Sequence, residues 1–565
     1  MENYADGGEA IVEALRNLDV DYVMSSPGSE WGAVWEAFTR QQVSNRPGPK
    51  YLSCWHETLA VNLATGYTAA TGRMQAVILH AGAGLLQGSM GVHGALISET
   101  PMIVMSGESL TYGEQDGFDP GRQWLTSLSI AGGTHRLVEP IVKWSDRATS
   151  SSTLYEALMR AGEMAQRTPV GPTYLSVPVE VMLEEWNRPA KNRQAPVTPK
   201  QLSPSQDVDK VAELLVNSDY PVISTGAAGY EPEGFNGLLA LAETLAIPVV
   251  ESDTPSFANF PKDNPLHQGF SIQPHLMEAD LVLVVRNKAP WYPPGNCPEK
   301  AKIVILDENP FKTHMVYQNL QADIYLEGDV VASLESLVKA VQELGFDQEK
   351  VDRRRKHWSA EFSKSKKECE ILEEKAKSSD PMGPSWLCSV LADTMPANTA
   401  YVDETTTNRL DILRHLNWNT PRSYFRTPSG LGQGLGVALG VKLAMQDRPV
   451  VSLIGDGGFL YNPVTQALGL SMEANLPIMI VVFNNRGYRA MRNNHLSYYP
   501  DGVGKQNEIY LGHPIDGPDY SELVKPFGGF GRHVTQASEL QSALQDGLTA
   551  TKEGKTAVIN VEISD

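Results

Sequence analysis

Short apolar, β-branched runs alternate with longer stretches of helical period along most of the chain, the pattern of open α/β sheets whose strands are covered on both faces. Two of these runs, Val450-Val451-Ser452-Leu453-Ile454 and Ile478-Met479-Ile480-Val481-Val482-Phe483, predict buried strands. The first leads into Gly455-Asp456-Gly457, and twenty-six residues from Gly458 to Phe483 separate that turn from Asn484-Asn485. The spacing holds one crossover helix, predicted over Pro463 to Glu473, so the two strands are expected to be parallel. Their carboxyl ends then face one crevice. An Asp carboxylate and an Asn amide oxygen meeting there, with glycines that let the backbone approach, form an oxygen-rich site suited to Mg²⁺ carrying phosphate.

The remaining runs fall into three blocks. The first, to about Glu185, has predicted strands at Val20 to Met24, Ala76 to Leu79, Met102 to Met105 and Thr173 to Val177, and ends in a polar, Pro-bearing linker from Asn187 to Gln206. The second has strands near Pro221 to Ser224, Pro248 to Val250, Leu281 to Val285 and Ile303 to Leu306. A charged stretch, Gln348 to Lys377, reads as a solvated connecting helix. The third block, from about Pro381, reaches strand Ala400 to Val402 and carries the Gly-Asp-Gly and Asn-Asn elements. No short repeat is visible.

At 565 residues the chain exceeds a single core, and 41% hydrophobic with 20% charged residues is ordinary for a globular protein. A net charge of −20 argues against a nucleic-acid or anionic-membrane partner. Cys54, Cys297, Cys369 and Cys388 form no C-x-x-C pair and suit a reducing compartment. The start, Met1 to Asp6, lacks the basic-then-apolar pattern of a signal peptide, and no run approaches a membrane span, so a cytoplasmic location is expected.

A second candidate lies in the first block. Tyr51 to Cys54 reads as a strand and His56-Glu57-Thr58-Leu59-Ala60 as the start of a helix, which places Glu57 at a strand-to-helix junction among small and apolar neighbours. An acid near a helix amino end is often only favourable dipole chemistry. Together, however, Glu57, the Gly-Asp-Gly to Asn-Asn element and the three-block length resemble the thiamin-diphosphate-dependent enzymes of the acetolactate synthase, benzoylformate decarboxylase and pyruvate decarboxylase group. The resemblance implies three open parallel-sheet α/β domains: a pyrimidine-binding domain over 1–186, a central domain over 205–345, and a diphosphate- and Mg²⁺-binding domain over 380–565.

It also implies roles at matching positions. Asp456, the Asn485 side chain and the Gly487 carbonyl would hold Mg²⁺. Gly457 and Gly458 would offer backbone N–H groups to the diphosphate, with the hydroxyls of Thr406, Thr407 and Tyr488 reaching its oxygens. Leu431 would prop the cofactor in a bent shape. Glu57 would share a proton with the pyrimidine ring so that the cofactor's own amino group can deprotonate the thiazolium carbon, with burial raising the carboxyl pKa. In the family that Glu and the diphosphate site come from different subunits, so a homodimer or homotetramer is implied. The substrate would be a 2-oxo acid, with the product of carbon dioxide loss either protonated to an aldehyde or added to an aldehyde or ketone acceptor.

Local matches lean two ways. Ser26-Pro27-Gly28-Ser29 and Leu79-His80-Ala81-Gly82-Ala83-Gly84 resemble benzoylformate decarboxylase, with Ser29 as carboxylate binder and His80 as proton carrier. No histidine stands in Ala289 to Pro294, where that enzyme has another, which suggests an aromatic wall from Trp291 and Tyr292; Trp31 and Trp35 either add to it or, by their amphipathic spacing, pack in the core. The overall layout suits acetolactate synthase, but its Gly-rich, Arg-bearing flavin pattern is missing, and Thr225 to Gly229 is a weak substitute, which makes FAD doubtful. The reading is an acyloin-forming decarboxylase/carboligase, with a non-carboligating decarboxylase as the alternative.

Overall fold

The computed structural model describes residues 5–26, 28–114, 118–189, 194–316, 318 and 320–564. Pro27 of the serine loop and residues 190–193 of the linker lie outside them. Three all-parallel sheets form. The first contains β1 (Tyr22–Ser26), β2 (Lys50–Ser53), β3 (Gln75–Leu79), β4 (Met102–Glu108), β5 (Trp144–Arg147) and β6 (Pro172–Pro178) in the order β2-β1-β3-β4-β6-β5. The second has β7 (Pro221–Thr225), β8 (Val249–Glu251), β9 (Leu281–Val285), β10 (Lys302–Asp307) and β11 (Ile324–Glu327), ordered β11-β10-β9-β7-β8. The third has β12 (Ala400–Glu404), β13 (Tyr424–Arg426), β14 (Val450–Gly455), β15 (Met479–Asn484), β16 (Phe530–Val534) and β17 (Ala557–Glu562), ordered β13-β12-β14-β15-β17-β16. The first and third sheets therefore share one winding order.

Central strands read as unbroken apolar runs because both faces are covered: every residue of β3, β9 and β15 is buried. Helices Asp456–Tyr461 and Val464–Glu473 form the crossover between β14 and β15, whose register pairs Gly455 with Phe483. The first of these helices begins at Asp456 itself, so Gly457 and Gly458 lie in a helical turn, not in a loop.

The chain divides into two compact units. One comprises 1–199 with 428–445 and 462–474; the other comprises 200–427, 446–461 and 475–565. In the first, helix Gly434–Ala444 packs tightly on helix Glu57–Thr71: a Cβ at Gly66 would lie 2.1 Å from the Val437 carbonyl oxygen, so only glycine permits this approach. In the second, the loop after β8 joins the edge of the third sheet. Phe257 bridges Phe425, Ala258 N–H donates to the Tyr424 carbonyl, and Lys262 donates to the carbonyls of Leu413 and Leu416 with its ammonium 4.4 Å from the Trp418 ring. Lys262 thus closes the end of helix Arg409–His415, and its burial lowers its pKa to about 7.

The charged stretch is one helix, Gln348–Lys377, but its first half is not merely solvated. Arg354 is buried and donates to the carbonyls of Ser218, Asp219 and Leu245; Lys350 reaches Asn217 and Arg355 reaches Glu243. These carbonyls lie at the ends of helices Ser205–Asn217 and Pro232–Leu245, where positive charge complements the exposed acceptors and the helix dipole. Arg354→Met should keep the stem but orphan the acceptors, with a loss of about 2 to 3 kcal/mol in urea unfolding. Lys364→Met, on the exposed half, should stay within about 0.5 kcal/mol of the parent.

Among the described residues no helix is long and apolar enough to cross a membrane. All four cysteines are free.

Candidate active site

Polar groups gather at the carboxyl ends of β14 and β15. The Asp456 carboxylate, 3% exposed, accepts N–H bonds from Gly457 at 2.8 Å and Gly487 at 2.9 Å. Burial, only partly offset by these donors, raises its pKa to about 6. Asn485 Oδ1 is buried and has no hydrogen-bond partner. The Gly487 carbonyl accepts one bond, from Arg489 N–H at 3.0 Å, and keeps a second lone pair. A Cβ at Gly487 would come within 2.8 Å of the His513 ring, which closes this turn from outside. A buried carboxylate, an orphaned amide oxygen and a carbonyl are hard oxygen donors, and together they fit a Mg²⁺ ion.

The neighbouring strand end supplies hydroxyls. Asp403 is fully buried and anchors the turn after β12, accepting from Thr405 N–H and Oγ1 at 2.7 Å each, from Tyr424 Oη at 2.7 Å and from Arg426 at 2.8 Å. Thr406 is exposed and Thr407 half-buried beyond this anchor. The Tyr488 ring occupies the space a Cβ at Gly457 would need, at 2.5 Å. The Gly457 N–H, expected to face a diphosphate, is used by Asp456 here. Gly458 is buried, and a Cβ on it would lie 3.5 Å from the Glu404 carbonyl, so the ends of β12 and β14 lie side by side.

In the first unit, Glu57 opens its helix, whose start is capped by His56 Nδ1 accepting from Thr58 N–H at 3.1 Å. The Glu57 side chain is 19% exposed, so its burial within one chain is incomplete. A side chain at Gly84 would bring a Cβ to 3.1 Å from its Oε1, so helix Gly82–Ile97 approaches the carboxylate through that glycine. His80 follows β3, and its Nδ1 lies 2.9 to 3.0 Å from both oxygens of Glu30, a buried residue that also accepts from Ala81 N–H at 2.8 Å. The hydrogen bond to Glu30 is the main reason the His80 pKa is raised, with Glu57 adding to it. Nδ1 is thereby fixed as a donor and Nε2 left to exchange a proton. Ser29 is exposed and begins the turn Ser29–Trp31, next to Gly28, which touches the His80 ring. Leu431 is half-buried in the same unit.

Glu30 escaped the sequence reading although it directly follows the serine loop; an acid in an otherwise apolar stretch was the available signal. Glu30→Gln should lower the His80 pKa and move the alkaline limb of its NMR titration to lower pH. An unchanged limb would rule out the pairing. Trp31 and Trp35 take the core reading: Trp31 is fully buried and donates to the Leu79 carbonyl, and Trp35 packs on the same core and donates to Tyr51 Oη, while Trp291, 5% exposed, shares a core cluster with Val284 and Ile303. Trp291 and the exposed Tyr292 both line a cleft of about 990 Å³ in the second unit.

Family models decide the identity of this arrangement. Those describing the thiamine pyrophosphate enzyme N-terminal TPP binding domain, central domain and C-terminal TPP binding domain match residues 5–129, 208–337 and 404–561. The chain belongs to the thiamine pyrophosphate enzyme family. Its relatives include benzoylformate decarboxylase of Pseudomonas aeruginosa, 26% identical over 96% of each chain. A "probable acetolactate synthase large subunit" of Methanocaldococcus jannaschii is 25% identical, covering 97% of this chain and 90% of its own. The fold matches the 4-hydroxybenzoylformate decarboxylase of Rhodococcus jostii RHA1 with a TM-score of 0.79, 23% identity and 99% of both chains covered.

Proposed function

We propose that this member of the thiamine pyrophosphate enzyme family is a Mg²⁺-dependent decarboxylase and carboligase of 2-oxo acids, acetolactate synthase-like and acyloin-forming, with domains over 1–186, 205–345 and 380–565. The observation that carries the Mg²⁺ part of the reading is the orphaned Asn485 Oδ1 in the turn whose Gly487 N–H reaches the buried Asp456 carboxylate, since a buried amide oxygen without a partner is costly unless a cation joins it. Asp456, Asn485 and the Gly487 carbonyl would hold Mg²⁺. Thr406, Thr407 and Tyr488, with the backbone of Gly457 and Gly458, would meet the diphosphate, and Leu431 would support the bent cofactor. When bound, thiamin diphosphate supplies an acidic carbon that adds to a carbonyl and accepts the electrons left as carbon dioxide departs.

The residues of the chain set everything else. Glu57 holds the proton that switches the cofactor on, Ser29 takes the substrate carboxylate, and His80 carries a proton at Nε2 while Glu30 keeps Nδ1 occupied. Exposed apolar side chains lie on the elements that carry each half: Trp55 just before Glu57, Leu86 and Met90 on helix Gly82–Ile97, Leu460 and Tyr461 on the helix that Asp456 opens, and Met491 on helix Arg489–Tyr498. Such surfaces support burial against a second copy, as a homodimer or homotetramer with active sites at the subunit interface. FAD stays outside the proposal. Asn259 accepts from Gly229 N–H at 2.9 Å and donates to the Gly226 carbonyl, so the Gly-rich turn from Thr225 to Gly229 is engaged by protein. Arg286 beyond β9 is committed to Glu231 and Glu308.

The His80–Glu30 pair favours a second reading, because a readily available proton promotes release of an aldehyde in place of ligation. Mass spectrometry of products formed from pyruvate or benzoylformate, with Mg²⁺, cofactor and an added aldehyde, tests both. Acyloin supports the carboligase, aldehyde alone the decarboxylase, and no turnover of any 2-oxo acid would overturn the proposal.

A further inference from the structure

We infer that Asn560, with Asp519 and Asn484, is a positioning relay that sets the metal-binding turn, an inference that rests on the Mg²⁺ site proposed above. Asn560 is 1% exposed in the middle of β17, between buried Ile559 and Val561. An amide at such a place costs free energy unless both of its ends are satisfied, and an apolar residue would fill the strand as well. Both ends are satisfied, one by Asp519 outside the sheet and the other by Asn484 on the neighbouring strand. Its Nδ2 donates to Asp519 Oδ1 at 3.0 Å, and its Oδ1 accepts from Asn484 Nδ2 at 3.1 Å. Asn484, the last residue of β15, in turn accepts the Arg486 N–H on Oδ1 at 3.1 Å.

Arg486 is the residue between Asn485 and Gly487. Its backbone is left-handed, with φ +56, a conformation that a non-glycine residue adopts only when its surroundings hold it there. The relay holds its N–H, Ile515 N–H holds its carbonyl at 3.0 Å, and Glu562 holds its guanidinium at 2.6 Å. With Arg486 fixed, Asn485 Oδ1 stays buried and the Gly487 N–H reaches Asp456 Oδ2. The relay starts from a firm point, since Asp519 also accepts the Ser521 N–H at 2.9 Å and its hydroxyl at 2.8 Å. Asp519, Asn560 and Asn484 therefore orient the metal donors without touching the metal.

The test uses the full-length protein, measuring thiamin diphosphate uptake by tryptophan fluorescence as Mg²⁺ is titrated. Asn560→Leu should raise the half-saturating Mg²⁺ about 10- to 100-fold while turnover at saturating Mg²⁺ stays near that of the parent. Asp519→Asn, which keeps the acceptor oxygen, should behave like the parent, whereas Asp519→Ala should shift as Asn560→Leu does and serves if the leucine variant fails to fold. Unchanged half-saturation in both Asn560→Leu and Asp519→Ala, or a turnover loss that saturating Mg²⁺ does not restore, would overturn the relay. Asp456→Ala in the same titration separates the two ideas: a parental Mg²⁺ response there refutes the metal site itself. A lost response there beside unchanged relay variants refutes the relay alone.

Discussion

Asp456→Ala is expected to abolish metal-dependent retention of thiamin diphosphate, with a loss of at least about 100-fold in apparent affinity, above what changes behind the ligands cost. Calorimetry with and without Mg²⁺ reads this directly, and tight, Mg²⁺-dependent binding by the variant would end the assignment. The expectation follows from a carboxylate that is 3% exposed and accepts the backbone N–H groups of Gly457 and Gly487. In the folded chain its pKa rises from 3.8 to about 6, chiefly by burial. A folded-state pKa above the unfolded one contributes stability below pH 3.8 and loses it as pH rises through about 6. Above that range the metal-free protein carries a charge penalty of roughly 3 kcal/mol. A divalent ion relieves that penalty, so Mg²⁺ with cofactor should raise the melting temperature more at about pH 7.5 than at about pH 5, and this difference should vanish in Asp456→Ala.

Glu57→Gln should leave cofactor affinity nearly unchanged and slow turnover by about 10²- to 10⁴-fold, the range for losing one positioned acid or base. The amide keeps the shape at the start of the helix but has no proton to share. Deuterium exchange at the cofactor's acidic carbon, followed by NMR after rapid quenching, should slow in parallel. Normal exchange with slow turnover would move Glu57 to a later step. Because helix Gly82–Ile97 reaches Glu57 through Gly84, the glutamine should fit without repacking.

What could be read from the chain follows burial. Strands covered on both faces, such as Leu281–Val285 and Met479–Asn484, announce themselves as apolar runs. Three edge strands do not: Trp144–Arg147, Ile324–Glu327 and Phe530–Val534 are only partly buried and carry polar residues, so their sequences resemble loops. The same holds for the site. Asp456, Asn485 and Glu57 sit at strand-to-helix junctions that local pattern marks. Glu30, Asp403 and Asn560 gain meaning only from partners 50, 23 and 76 residues away, His80, Arg426 and Asn484. Lys262 and Arg354 look like surface cations in the sequence, yet they are the closing groups of helix ends that only tertiary packing brings to them. Trp31 shows the opposite case: lining and core were both open from its sequence position, and only its packing decides for the core.

The winding order shared by the first and third sheets gives each strand end in one a counterpart in the other. His80 follows the third strand of its sheet, and Asp456 follows the third strand of its own. On the roles proposed above, one scaffold used twice would serve acid–base work at one copy and cation capture at the other. With those roles the two tasks would be separable: substrate preference would follow the loops after β1 and β3, while the anchor for the coenzyme's tail stayed as it is.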